Sequence, residues 1–246
     1  MIRSSNPALS DKTFQGVNRY VGQAAMTLSG TVNKTMILTA LLIFSAAFTW
    51  HKCLENPAAY GGFMMLGLIG GLIAALVTVF KKEWAGVTAP AYAVLEGLAM
   101  GALSVMFEQR YPGIVFQALV GTMGTLFALL MAYRSGLIKA TENFKLGVAA
   151  ATGGIFFLYL FSMILGFFGV PMNFLHDSSP LSIGLSVVII IVAALNLVMD
   201  FDFIEHGAER GLPKYMEWYG AFGLLVTLVW LYIEFLRLLA KLQSRR

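Results

Sequence analysis

The chain has 246 residues, of which 58% are hydrophobic and only 12% charged, with a mean hydropathy of +0.76 and a formal net charge of +4. Soluble domains carry about 25% charged residues, so a cytosolic globule, a disordered chain and a secreted disulfide scaffold are excluded. Cys53 is the lone cysteine, and His51, His176 and His206 are scattered, so no disulfide or Cys/His metal centre can be assembled. The composition defines an integral membrane protein with no cofactor. The positive charge needs no nucleic acid to explain it, because cytosolic loops of membrane proteins are basic in any case.

In chain order, residues 1–34 are polar and mixed and lack the apolar core of a secretory signal. They read as a cytosolic N-terminal arm with a partly helical stretch around Phe14 to Met26. A spanning helix needs about 20 mostly apolar residues, and seven runs qualify: 35–51, 61–80, 87–107, 113–133, 147–169, 181–204 and 215–239. Together they make a membrane domain over 35–242, followed by a basic tail at 243–246. The runs are continuously apolar, without the alternation of barrel strands, so the class is all-α, a polytopic bundle with short loops. Arg3, Lys12, Arg19 and Lys34, then Lys81 and Lys82, then Arg134, Lys139 and Lys145, then Arg210 and Lys214 fall on one side of such a bundle. That side is the cytosolic one by the positive-inside rule. Against the rule, seven crossings leave Arg237, Lys241, Arg245 and Arg246 outside.

Gly67 and Gly71 in the second run, and Gly97 and Gly101 in the third, are small-xxx-small pairs that let helix backbones approach closely. Trp84, Trp218 and Tyr219 suit interfacial anchoring. The informative residues are the ionisable ones at membrane depth, where each carries a cost of at least about 2.5 kcal/mol. Glu96 lies about nine residues into the third run, ~14 Å deep and close to the midplane, and Gln117 is a hydrogen-bonding candidate for it. The sixth run closes with Asn196, Asp200, Asp202 and Glu205. Asn196 and Asp200 share a helix face, whereas Asp202 is rotated by about 200° from Asp200; Asp202 and Glu205 are expected to be solvated by the cytosol. Glu217, at the start of the seventh run, is placed to meet Asp200 or Glu205 across the short loop. Arg134 and Lys139 are candidate counter-ions for this acidic cluster. Glu234 and Arg237, three apart, read as an ion pair on the helix surface.

No Gly-x-Ser-Gly, Gly-x-Gly-Asp, Walker or dinucleotide motif occurs, so neither an enzyme nor a nucleotide-driven pump is expected. Two stretches carry a family resemblance. One is Ala93-Val-Leu-Glu96-Gly-Leu-Ala-Met-Gly101 with Phe107, Tyr111 and Gln117-Ala118; the other is Leu197-Val-Met-Asp200-Phe-Asp202-Phe-Ile204. With the seven runs and the loop pattern, they resemble the Bax inhibitor-1 (transmembrane Bax-inhibitor-motif) family in its bacterial form. The second stretch is similar to the Tyr-Asp-Thr-Gln signature, with Asp200 on the signature Asp and Met199 and Asp202 departing from its Tyr and Gln.

The resemblance implies six helices around a central seventh. It also implies an inner-membrane protein with a pH-sensitive Ca²⁺ leak, controlled by two acids near the cytosolic mouth. Only Asp200 carries over, with transient Ca²⁺ near it and no fixed metal site. Leu231-Tyr232-Ile233-Glu234 imitates the string that bears the second acid, but Glu234 follows Asp200 by 34 residues, more than the family spacing. Aligning the chain ends puts Leu225 to Thr227 there instead. Glu217, Asp202 and Glu96 are the possible substitutes.

The leading expectation is a slow, proton-regulated cation leak gated at Asp200, with Asp202 and Glu217 beside it and Glu96, Gln117 and Asn196 as the intramembrane polar path. A second reading is a non-conducting helper that binds other membrane proteins or a quality-control protease. A third is a proton-coupled transporter of a small solute. The lipid bilayer is a partner in each.

Overall fold

The computed structural model describes residues 25–245, apart from 170, 171, 173, 174 and 176. The helical stretch expected around Phe14 to Met26 lies almost wholly outside them. Seven long helices account for most of the described chain: α1 (Leu28–Glu55), α2 (Ala59–Phe80), α3 (Ala85–Arg110), α4 (Ile114–Arg134), α5 (Glu142–Phe167), α6 (Pro180–Glu209) and α7 (Met216–Gln243), with one 3₁₀ turn at Lys82–Trp84 before α3. All seven are long and apolar enough to cross a membrane, and the fold is all-α as expected. Among the described residues the only β-type pairing is a single bridge between Ala25 and Pro213.

The helix starts follow local chemistry. Thr27 caps α1 by accepting from the Gly30 N–H at 3.0 Å, and Thr141 caps α5 by accepting from the Phe144 N–H at 3.3 Å. Each satisfies a donor that the first turn leaves without a partner. Ser179 accepts from the Ser182 N–H at 3.2 Å just before Pro180, whose fixed φ suits the first helical position. Gly113 (φ +83°) and Gly211 (φ +62°) occupy left-handed conformations in the short turns before α4 and α7, where a Cβ is strained. α1 begins seven residues earlier than the apolar run at 35, so Lys34 lies inside a helix and not in a free arm.

The membrane domain packs as two compact units. One comprises described residues within 25–112 and 202–226; the other comprises those within 113–201 and 227–245. In the first, the glycine pairs mark the helix crossings. A Cβ on Gly67 would lie 2.6 Å from Ala99 Cβ and the Leu95 carbonyl of α3, and one on Gly97 would lie 2.5 Å from the Leu42 carbonyl of α1. Around these crossings Leu38, Ala74, Ala89, Tyr92, Ala93, Ala221, Phe222 and Leu225 form a core. Tyr92 and Phe222 meet edge to face at 5.0 Å. Cys53 is buried with Ala102 and Val105. In the second unit the Phe235 ring lies 3.0 Å from where a Cβ on Gly121 would be. Phe44, Phe80, Phe116, Phe157 and Met131 stand exposed on α1, α2, α4 and α5, an apolar surface suited to lipid and costly in water.

Candidate functional site

In the first unit Glu96 sits near the middle of α3 and is only 9% exposed. One carboxylate oxygen lies 2.9 Å from where a Cβ on Gly71 would stand, so the absent side chain of α2 provides the space that Glu96 fills. Glu217, in the first turn of α7, is fully enclosed. It accepts from the Thr27 backbone N–H at 2.9 Å, the Thr27 hydroxyl at 2.8 Å, Lys214 at 2.7 Å and Lys34. A Cβ on Gly30 would fall on this carboxylate. The partners Glu217 has are two cations, a hydroxyl and a backbone N–H, so no shared proton or metal is needed to hold it. Donation from the Met26 N–H to the Leu212 carbonyl at 2.7 Å fastens the chain entering α1 to the turn before α7. Asp202 is buried and not bathed by solvent as expected; its carboxylate lies 3.4 Å from His206 Nδ1, one turn along α6. Glu205 is half-buried.

In the second unit Asp200 is 0% exposed, and both of its carboxylate oxygens are buried. It does not stand alone. Ser182, Ser186, Asn196 and Asp200 are all buried, and at 100° per residue they fall within about 40° of one line along α6. α5 carries Lys145, Thr152 and Tyr159, and α7 carries Thr227, Glu234 and Lys241, both at heptad spacing and so on one face each.

These three stripes meet. Asn196 Nδ2 donates to the Thr152 hydroxyl at 2.8 Å. The Tyr159 hydroxyl donates to Glu234 Oε1 at 3.0 Å, and Arg237 reaches both the same oxygen and the Tyr159 oxygen at 2.9 Å. Lys241 Nζ donates to the Ser186 hydroxyl at 2.8 Å and the Ser182 carbonyl at 3.3 Å. Later residues of α5 and earlier residues of α6 therefore lie toward the end of α7; on the other side of the Thr152–Asn196 contact α5 runs back to Lys145 and α6 runs on to Asp200. Lys145 is itself only 4% exposed on its side chain.

Two expectations change here. Glu234 is 1% exposed and bonded to Tyr159, so its pair with the partly exposed Arg237 rests on a buried carboxylate and is not the plain surface pair expected. Arg134 and Lys139, taken as counter-ions, are both exposed, as is Gln117 in the first turns of α4; Lys145 is enclosed and lies 3.7 Å from the Glu142 carboxylate. Thr152, Tyr159, Ser182 and Ser186 were not singled out in the sequence, and Lys145 and Lys241 were read there only as charges that orient the bundle. Their signal was the spacing of isolated polar residues at four and seven along otherwise apolar helices. Among the described residues no group of three or more His, Cys, Asp or Glu gathers as a metal site.

Seven apolar helices, with acids, cations and hydroxyls enclosed within each of the two units, define a polytopic α-helical membrane protein. The model of the Bax inhibitor 1 like family matches residues 6–244, nearly the whole chain. The chain belongs to that family. No curated protein and no solved structure matches it.

Proposed function

We propose that the protein permits a slow, proton-regulated leak of cations, Ca²⁺ foremost, across a bacterial inner membrane, with its N-terminus in the cytosol and Asp200 as the regulating acid. The observation that carries this reading is the complete enclosure of Asp200 at one end of a polar stripe otherwise set in apolar helix. An ionisable group in such surroundings is expensive and by default functional. In this scheme an ionised Asp200 attracts the buried ammonium of Lys145, which also lies 3.7 Å from the exposed Glu142 carboxylate, and a protonated one releases it. Buried Ile189 and Ala193, on the same face of α6 between Ser186 and Asn196, form an apolar layer that suits a closed state. Each unit of pKa difference between the closed and open forms biases the gate by about 1.4 kcal/mol. Asp202 and Glu217 are secondary candidates in this scheme, and Glu96 a separate mid-helix polar site.

The test is Ca²⁺ flux into dye-loaded proteoliposomes. Flux through the wild type rises as pH falls, whereas Asp200→Asn leaks at all pH values with the pH dependence lost. Flux that ignores pH in the wild type, or a pH response unchanged in Asp200→Asn, overturns the gate. No flux from either protein favours the non-conducting helper.

A further inference from the structure

The end of the second unit opposite Asp200 holds a carboxylate that is only half used. Glu234 Oε1 takes both the Tyr159 hydroxyl and the Arg237 guanidinium, at 3.0 and 2.9 Å. Oε2 is buried and has no hydrogen-bond partner among the described residues. Arginine and carboxylate ordinarily join through two parallel bonds that occupy both oxygens, and an unsatisfied oxygen on a buried charge is costly. The two sides of the pair also differ in freedom. Glu234 is enclosed, whereas the Arg237 side chain is 39% exposed and rests over the Tyr159 ring at 5.1 Å. The guanidinium thus has water to withdraw into, and the carboxylate does not.

We propose that Glu234 is a cation-binding carboxylate, and that Arg237 is its tethered occupant, competing for the place a hard divalent ion would take. Ca²⁺ takes carboxylate oxygens singly or in pairs together with neutral oxygens. With Arg237 withdrawn, both Glu234 oxygens and the Tyr159 hydroxyl are available to it. Lys241, two turns further along the same face of α7, is held by Ser182 and Ser186. Its charge keeps the site weak, as a site of passage must be if the ion is to leave. The purpose of such a site rests on the cation-leak reading. Its existence does not, and can be tested without flux.

Terbium is the probe, because Tb³⁺ stands in for Ca²⁺ and its emission is sensitised by a tyrosine at contact distance, here Tyr159. Full-length protein in detergent is titrated with Tb³⁺ under ultraviolet excitation. Arg237→Gln gains a sensitised site, or binds Tb³⁺ at least about tenfold more tightly than wild type, equivalent to about 1.4 kcal/mol. The charge-conserving double variant Glu234→Gln/Arg237→Gln loses that gain. Arg237→Lys, which keeps the charge but not the planar fork, is intermediate and serves alone if Arg237→Gln does not fold. No gain in a folded Arg237→Gln overturns the proposal, as does a gain that survives Glu234→Gln. If only Arg237→Lys folds, an affinity equal to wild type has the same force.

Discussion

Glu217 shows how one side chain can fix a helix start. Its carboxylate is spent on Thr27, Lys34 and Lys214, which ties the beginning of α1 to the beginning of α7 within one unit. Removing one partner from a buried pair costs about 3–5 kcal/mol, because the survivor is left desolvated. Glu217→Gln should therefore lower the thermal midpoint in detergent, read by circular dichroism, by the equivalent of about 3 kcal/mol. Lys214, nearly half exposed on its side chain, should cost less than about 1 kcal/mol when changed to Ala. Equal effects of the two substitutions would mean that the enclosed carboxylate is not the keystone. The sequence drew attention to Glu217 but not to these partners, because Thr27 is 190 residues away and the apolar run masked the start of α1. The Glu234–Arg237 spacing was legible as an ion pair, yet its burial depends on Tyr159, 75 residues earlier, which nothing local announces.

At the level of helices, the glycine pairs were the most readable feature. Small residues four apart in an apolar run have one dominant use, close backbone approach, and the crossings of α3 with α1 and α2 fall on them. A Cβ on Gly101 would collide with the Ala46 carbonyl of α1, which is backbone and has no rotamer to escape into. Gly101→Ala should therefore destabilise by about 1–3 kcal/mol. Gly154→Ala in α5 meets nothing within 4 Å, and should be neutral or stabilising by up to about 1 kcal/mol through helix propensity. Melting midpoints of the two variants, measured side by side, check the contrast. The stripes of α5, α6 and α7 were harder to read. A serine or threonine in an apolar helix is also ordinary packing, and only the pairing of three helices separates the two meanings.

For the molecule as a whole, the positive charge near the C-terminus was the feature that resisted the topology rule. Two of its four residues lose their force as loop charges. Arg237 is engaged with Glu234 and Tyr159, and Lys241 with Ser182 and Ser186, so both are satisfied by the protein and do not bias insertion as free loop cations do. Arg245 and Arg246 remain, against the many lysines and arginines of the opposite side, and the orientation bias counts charges near helix ends in short loops. With seven crossings, a reporter enzyme active only outside the cytosol should be active when fused after residue 246 and silent when fused before residue 1. Activity at neither end would mean that α7 does not cross fully.

The lone thiol of the chain has a bearing on how such a bundle is watched at work. Cys53 is buried against Ala102 and Val105 of α3, with Trp50 of α1 and Tyr60, Phe63 and Met64 of α2 packed around them, so a reagent reaches it only when this cluster opens. The speed at which an alkylating agent finds that thiol is therefore a native clock for how often α1, α2 and α3 loosen at this end, readable without adding a label anywhere else.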